Sequence, residues 1–153
     1  MCEQLKNRIQ EIGIVLPPAP KPAGVYRPIL IVNDQLLVSG QGPVKEDGSL
    51  MQGRVGSDLN KEQGKIAARQ VALTMLSTII THAPKDLIIK RIVKVFGMVN
   101  AIPEFEDHPY VINGFSELFS EIFGEEHGIG VRSAVGMQLP QNIPVEIEAI
   151  FLL

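Results

Sequence analysis

Apolar residues recur along the chain with two different periods, and the switches between them mark out the elements. Leu5, Ile9 and Ile12 fall at helical spacing among charged neighbours, which predicts a short amphipathic helix ending near Gly13. Residues 16–24, LPPAPKPAG, carry too many prolines for a helix or a central strand and predict an extended connector over the surface. PILIVNDQLLVSGQ then sets two short apolar runs on either side of Asn33 and Asp34, a turn-prone pair that predicts a tight hairpin. Residues 42–60, rich in glycine with aspartate and serine, read as a long loop, and loops of that length in compact domains are either mobile or functional.

Asn60 and Gln63 have capping-box spacing, and beyond them Ile66, Leu73, Leu76 and Ile80 form one stripe of a helix that stops at Pro84. DLIIKRIVKVFGMVNAI is dense in β-branched residues and predicts a long strand with Val93, Val95 and Val99 on one face. Helical spacing returns with Val111, Phe115, Leu118, Phe119 and Ile122, and Gly124 is a stop signal. The last stretch, GVRSAVGMQLPQNIPVEIEAIF, reads as two strands paired in a hairpin around a proline-marked turn. In the first strand Arg132 shares a face with Ala134, Gly136 and Gln138. In the second, Val145, Ile147, Ala149 and Phe151 share one face, and Glu146 and Glu148 take the other with Ile150 and Leu152. Taken alone, these charged positions read as solvent-facing cross-strand pairs.

Two helices with one apolar stripe each need one sheet face to cover, so the element order predicts a two-layer α+β domain spanning residues 1–153, with the N-terminal helix added to it. Many strand residues that cannot face the helices are apolar as well. Their exposure on a monomer would be unusual, and self-association is expected to bury them.

Composition narrows the function. A chain of 153 residues, 45% hydrophobic and 20% charged, is an ordinary globular protein that needs no metal or disulfide to build a core. Its formal net charge of -3 gives no electrostatic footprint for a nucleic-acid backbone. The densest basic group, Lys90, Arg91 and Lys94, lies in a strand-like run and reads as a solvated edge. Cys2 is the only cysteine, which excludes an intramolecular disulfide and fits a reducing compartment. His82, His108 and His127 are too scattered for a metal-ligand pattern and read as surface or capping residues. The first residues, MCEQLKNRIQEIGI, lack the apolar core of a signal peptide, and no apolar run reaches membrane-spanning length. A cytoplasmic location is expected.

Three segments carry a family resemblance: VSGQGPV after the first hairpin, VINGFSELFSEIFG in the last helix, and VRSAVGMQLPQNIPVEIEAIF at the C-terminal end. Together they resemble the Rid family, also called YjgF/YER057c/UK114. The N-terminal helix, the Pro-rich connector and GRVGSDLNKEQGKIAARQ are similar to a longer subgroup that often carries an endoribonuclease label. The resemblance implies a chorismate-mutase-like fold with a mixed sheet, assembled as a homotrimer with clefts at the subunit interfaces. It also implies a reaction, the hydrolysis of reactive enamines and 2-imino acids to 2-oxo acids and ammonia, with no metal or organic cofactor.

The resemblance further implies site residues. Arg132 would bind the substrate carboxylate, a task that suits its planar fork better than a lysine. Glu146 would be the acid and base, with Glu148 as its nearby rival. Tyr26 aligns with a cleft tyrosine and could equally pack against the rim. Asn113 aligns with a polar helix residue and could as well bond backbone. Ser39 and Gly40 align with a turn whose backbone approaches the ligand. Where the best-studied members have a cysteine two residues after the arginine, this chain has Ala134, which rules out a thiol nucleophile there and alters the pocket. Besides a deaminase, the pattern admits a trimeric protein that binds a small carboxylate without turnover. Ribonuclease action has the least physical support, given the acidic charge and the lack of a histidine pair or a carboxylate–metal cluster. A chorismate mutase activity would rest on fold analogy alone.

Overall fold

The computed structural model describes residues 3–153, with side chains described from Leu5 onward; Cys2 lies outside them. Helix α1 spans Glu3–Glu11 and buries Leu5 and Ile9, as their spacing predicts. Strands β1 (Ile29–Val32) and β2 (Gln35–Gln41) form the expected hairpin, turning at Asn33, which takes a left-handed φ of 55° that asparagine tolerates better than most residues. Helix α2 (Lys61–His82) starts on the capping box, with Asn60 Oδ1 accepting from Gln63 N and Gln63 Oε1 from Asn60 N. Strand β3 is Arg91–Val99, and helix α3 is His108–Phe123 with Gly124 closing it at φ 77°. A short α4 (Glu125–Gly128) leads into β4 (Val131–Gly136), and a single 3-10 turn at Pro140–Asn142 precedes β5 (Val145–Leu152).

The sheet has five strands in the order β1-β2-β5-β3-β4, with β3 and β4 parallel and the other neighbours antiparallel. The expected C-terminal hairpin is therefore not formed: β3 lies between β4 and β5. Two features explain this. The crossover through α3 returns β4 beside β3 in parallel, as a strand-helix-strand unit does. β5 buries all of Val145, Ile147, Ala149 and Phe151, and a strand so apolar belongs at the centre of a sheet with a neighbour on each side.

One face of this mixed sheet is covered by α2 and α3. Leu36, Val38, Ile92, Val95, Val99 and the apolar row of β5 meet Phe115, Leu118 and Phe119 of α3 and the buried side of α2 in one core. Two sequence expectations need correction here. Of the expected stripe Leu76 is fully buried and Leu73 and Ile80 half-buried, but Ile66 is 62% exposed, and α2 also buries Ala67, Ala68, Val71, Ala72, Met75 and Ile79; alanines let it sit close to both α3 and the sheet. In β3 the register shifts between Ile92 and Lys94, so Ile92 joins Val95 and Val99 on the covered face and Val93 is the extra residue of the bulge.

The segment 42–60 is tied to the body. Val55 is fully buried, its N–H donates to Asn100 O at 2.8 Å, and Gly53 N donates to Asn142 O at 2.8 Å. The other face of the sheet is open, and it is apolar as expected. Leu30, Val131 and Val135 are exposed there, with Leu37, Phe96 and Ile150 half-buried between them. Among the described residues no helix is long and apolar enough to cross a membrane.

Candidate functional site

Glu146 lies on the open face of β5, where strand alternation puts it, but its surroundings depend on an irregularity in β2. Val38 pairs with Ala149 and Gln41 with Ile147, so three steps along β2 span two along β5. The extra residue bulges the chain at Ser39 and Gly40 and lays the Gly40 backbone against the glutamate. A Cβ at position 40 would collide with Glu146 Oε1 and would lie 3.1 Å from its Cδ. Only glycine permits this approach. The Gly40→Ala variant should displace the Glu146 side chain and bring its carboxyl titration closer to that of a free glutamate. A carboxyl NMR titration checks this, and an unchanged midpoint would show that the contact is dispensable.

The glutamate forms part of the wall of a concavity of about 600 Å3, together with Tyr26, Ser39, Gly40 and Gln41. Pro20 to Ala23 of the connector and Gly42, Gly48 and Leu50 of the long loop complete it. Tyr26 accepts from Ala23 N at 3.2 Å through its hydroxyl, so it fixes the connector while its exposed ring lines the opening. The Ser39 hydroxyl donates to Arg27 O at 2.6 Å, which ties that side chain to backbone. Burial, and secondarily the negative charge of Glu148, raises the pKa of the Glu146 carboxyl. Glu148 is more exposed and lines an adjoining, smaller groove with Lys94 and Phe96, which meets the first at Tyr26 and Ser39. Of the two glutamates, Glu146 alone belongs to the concavity.

Arg132 stands elsewhere. It pairs with Val95 on edge strand β4, on the face covered by α3, where its Nη1 donates to Ser116 Oγ at 3.2 Å and its Nη2 to Pro109 O at 3.1 Å. Burial lowers its pKa from the usual value. Asn113 lies on α3 between those two partners, at the i+4 position from Pro109, so it shares their side of the helix. The structure thus gathers Tyr26, Ser39, Gly40 and Glu146 in one place and Arg132 with Asn113 in another. Within the chain the two groups are on opposite faces of the sheet.

Sequence reading missed Gln41 and the walls from residues 20–23 and from Pro140, Gln141 and Ile143, and it left the loop 42–60 open between mobile and functional. Plain alternation puts Gln41 with Leu37 on the open face, whereas the bulge turns it inward to 5% exposure. Its signal is a glutamine directly after Ser-Gly at the end of an apolar strand, since glycine in a strand marks bulges. A further cavity of about 490 Å3 between α1 and the end of α3 includes none of the candidate residues, and its Arg8 is held by the carbonyls of Glu121 and Ile122. Among the described residues no cluster of three or more histidine, cysteine, aspartate or glutamate side chains could hold a metal ion.

Residues 6–142 match the family described as "YjgF/chorismate_mutase-like, putative endoribonuclease". The chain belongs to this family. Protein TCP17 of Trypanosoma cruzi is 42% identical over 144 residues, which cover 93% of this chain and 89% of that protein. The crystal structure of Atu1372 from Agrobacterium tumefaciens is 37% identical, with a TM-score of 0.86 over 99% of this chain and 94% of the other. The YjgF gene product of E. coli, 24% identical with a TM-score of 0.62 over 88% and 92% of the two chains, is alike in fold. The YjgF-type fold therefore carries the Glu146 pocket at its β2 bulge and Arg132 at its far edge.

Proposed function

We propose that the protein hydrolyses 2-imino acids, or their enamine tautomers, to 2-oxo acids and ammonia in clefts formed between the subunits of a homotrimer. The observation that carries this reading is the Glu146 carboxyl, partly withdrawn from water against Gly40 and holding its proton more tightly than a free glutamate. A protonated carboxyl can donate to an imine nitrogen and make the adjacent carbon electrophilic. The resulting carboxylate then takes a proton from the water that adds to that carbon. Returning this proton to nitrogen makes ammonia the leaving group, and as the C–N bond breaks the carboxylate takes the proton of the hydroxyl, which leaves the carbonyl. One water is consumed, one C=N bond is replaced by C=O, and the carboxyl ends in its starting state.

Arg132 supplies the binding half. Two of its N–H groups are engaged by Ser116 and Pro109, which hold the guanidinium in place, and the others remain for a carboxylate. Opposite sheet faces cannot share one small ligand, so Arg132 of one protomer would act with Tyr26 and Glu146 of another. The exposed apolar face around Leu30, Val131 and Val135 supports such an association, because burying it is the main drive available to assemble subunits. Among the described residues no histidine lines this pocket, which argues against reading the family's endoribonuclease description onto it.

The test is to generate 2-imino acids in situ with an amino-acid oxidase and to follow their loss, with light scattering to report the assembly. Arg132→Ala should lower kcat/KM about 10²-fold or more, the expected cost of removing a charged hydrogen-bonding partner. Arg132→Lys should recover little, because a lysine keeps the charge without the fork. Wild-type protein that accelerates no imine, yet binds 2-oxo acids only when Arg132 is present, would be a carboxylate-binding protein instead.

A further inference from the structure

We propose that Gln41 is a positioning residue for Glu146: its side chain ties Ser39 to Thr78 and thereby holds the bulge that lays Gly40 against the glutamate carboxyl. This deepens the hydrolase reading and rests on it for its catalytic meaning, but its geometry stands alone. Gln41 pairs with Ile147, the residue next to Glu146, at the point where the β2–β5 register resumes after the bulge. The Gln41 Nε2 donates to Ser39 O at 3.0 Å, and its Oε1 accepts from Thr78 Oγ1 at 2.9 Å. Gln41 is 5% exposed and Thr78 fully buried, so the bond to Thr78 forms away from bulk water, while the bond to the half-buried Ser39 lies nearer the surface.

The chemistry of the partners fixes the arrangement. Ser39 O can only accept, so the amide NH2 must face it, and the amide oxygen then turns to the Thr78 hydroxyl. A bulge leaves the ladder locally disrupted, and a buried carbonyl without a donor is unfavourable. Glutamine at 41 supplies that donor from within the same strand. The anchor on the far side is α2, a long helix buried against the sheet, so the position of Gly40 is referred to the core and not to the neighbouring loops. Glutamate in place of Gln41 would set acceptor against acceptor at Ser39, and an apolar side chain would release the carbonyl.

The experiment follows the Glu146 carboxyl directly by 13C NMR titration in the full chain, with Glu146→Gln used to assign the signal. Thr78→Val removes the hydroxyl at nearly constant shape, Thr78→Ser keeps it, and Gln41→Met removes both bonds. The expected result is a fall in the Glu146 midpoint of about half a pH unit or more in T78V and Q41M as water reaches the loosened pocket, with T78S close to wild type. An unchanged midpoint in folded T78V would overturn the proposal, whether or not Q41M folds. Lower thermal stability with no change in titration would likewise assign Gln41 and Thr78 a structural role only. Because the titration needs no substrate, its outcome is separate from whether the wild type hydrolyses imino acids.

Discussion

Replacing Glu146 with glutamine should lower imino-acid hydrolysis about 10²–10⁴-fold, the usual contribution of a positioned general acid and base. Binding of 2-oxo acids through Arg132 should survive, since Glu146 contributes nothing to that anchor. The amide is close in shape to the carboxyl, so the variant keeps the packing against Gly40 and loses only the proton. The same substitution has a signature in stability. The folded-state pKa of Glu146 lies above its unfolded value, so the folded chain binds more protons between the two. Stability therefore falls as pH rises from the ordinary glutamate range through the raised pKa. E146Q escapes that loss. It should melt at the wild-type temperature in acid, where the glutamate is protonated in both states, and above wild type at pH 8. Equal melting temperatures at both pH values would mean that the carboxyl is not held in an unfavourable charged state, and the acid role would fail with it. In the wild type, the rate should decline as pH rises through the same raised pKa, and the measured profile should match the NMR midpoint.

How far the sequence prefigures this site can be judged residue by residue. Helical and strand periods place α1, α3 and the β1–β2 hairpin, and the Asn60–Gln63 capping box places α2, whose second half is buried nearly all round. They also put Glu146 and Glu148 on one face of β5 and Arg132 on the face of Ala134. What they cannot give is pairing. VRSAVG and VEIEAIFL are separated by a proline-marked turn and look like a hairpin, yet β5 inserts between β2 and β3. Strand order follows from how much apolar surface each strand must bury on both sides, a quantity summed over the whole sheet. Bulges are only partly legible, through a strand glycine such as Gly40, for a related reason. Each shifts the period of two by one residue, which turns Gln41 inward and takes Val93 out of its row. Both errors concern the same physics: a local period survives only until backbone geometry elsewhere forces a step. The consequence for function is direct, since the pocket around Glu146 owes its shape to one such step. Arg132 was legible as a residue and illegible as a neighbour, because its separation from Glu146 by the sheet depends on β3 lying between β4 and β5.

Gly114→Ala should be among the most damaging single methyl groups that the described residues could receive. A Cβ there would collide with Lys65 O and lie 3.0 Å from Lys65 C and 3.1 Å from Arg69 N, all backbone atoms of α2. Flexible side chains can turn away from an added methyl, whereas a helix backbone yields only by moving as a unit. To accept the alanine, α3 must lift away from α2, loosening the layer in which Val111, Phe115 and Leu118 are fully buried. Overpacking of this kind costs about 2–3 kcal/mol, offset by less than about 1 kcal/mol from the better helix propensity of alanine. The melting temperature should drop by about 4–8 °C. The effect should also reach the site, because α3 carries Pro109 and Ser116, the two partners of the Arg132 guanidinium. A lifted α3 draws those acceptors off, so affinity for 2-oxo acids should weaken in G114A even at temperatures where the protein remains folded. Glu146 is fixed from the opposite side of the sheet by the β2 bulge, and its titration should stay at the wild-type midpoint. Calorimetry, ligand titration and carboxyl NMR on this one variant therefore separate the two halves of the site. A G114A protein with wild-type stability would show that the interhelical contact is looser than its geometry demands, and one that loses Glu146 protonation along with carboxylate binding would show that the halves are coupled through the core.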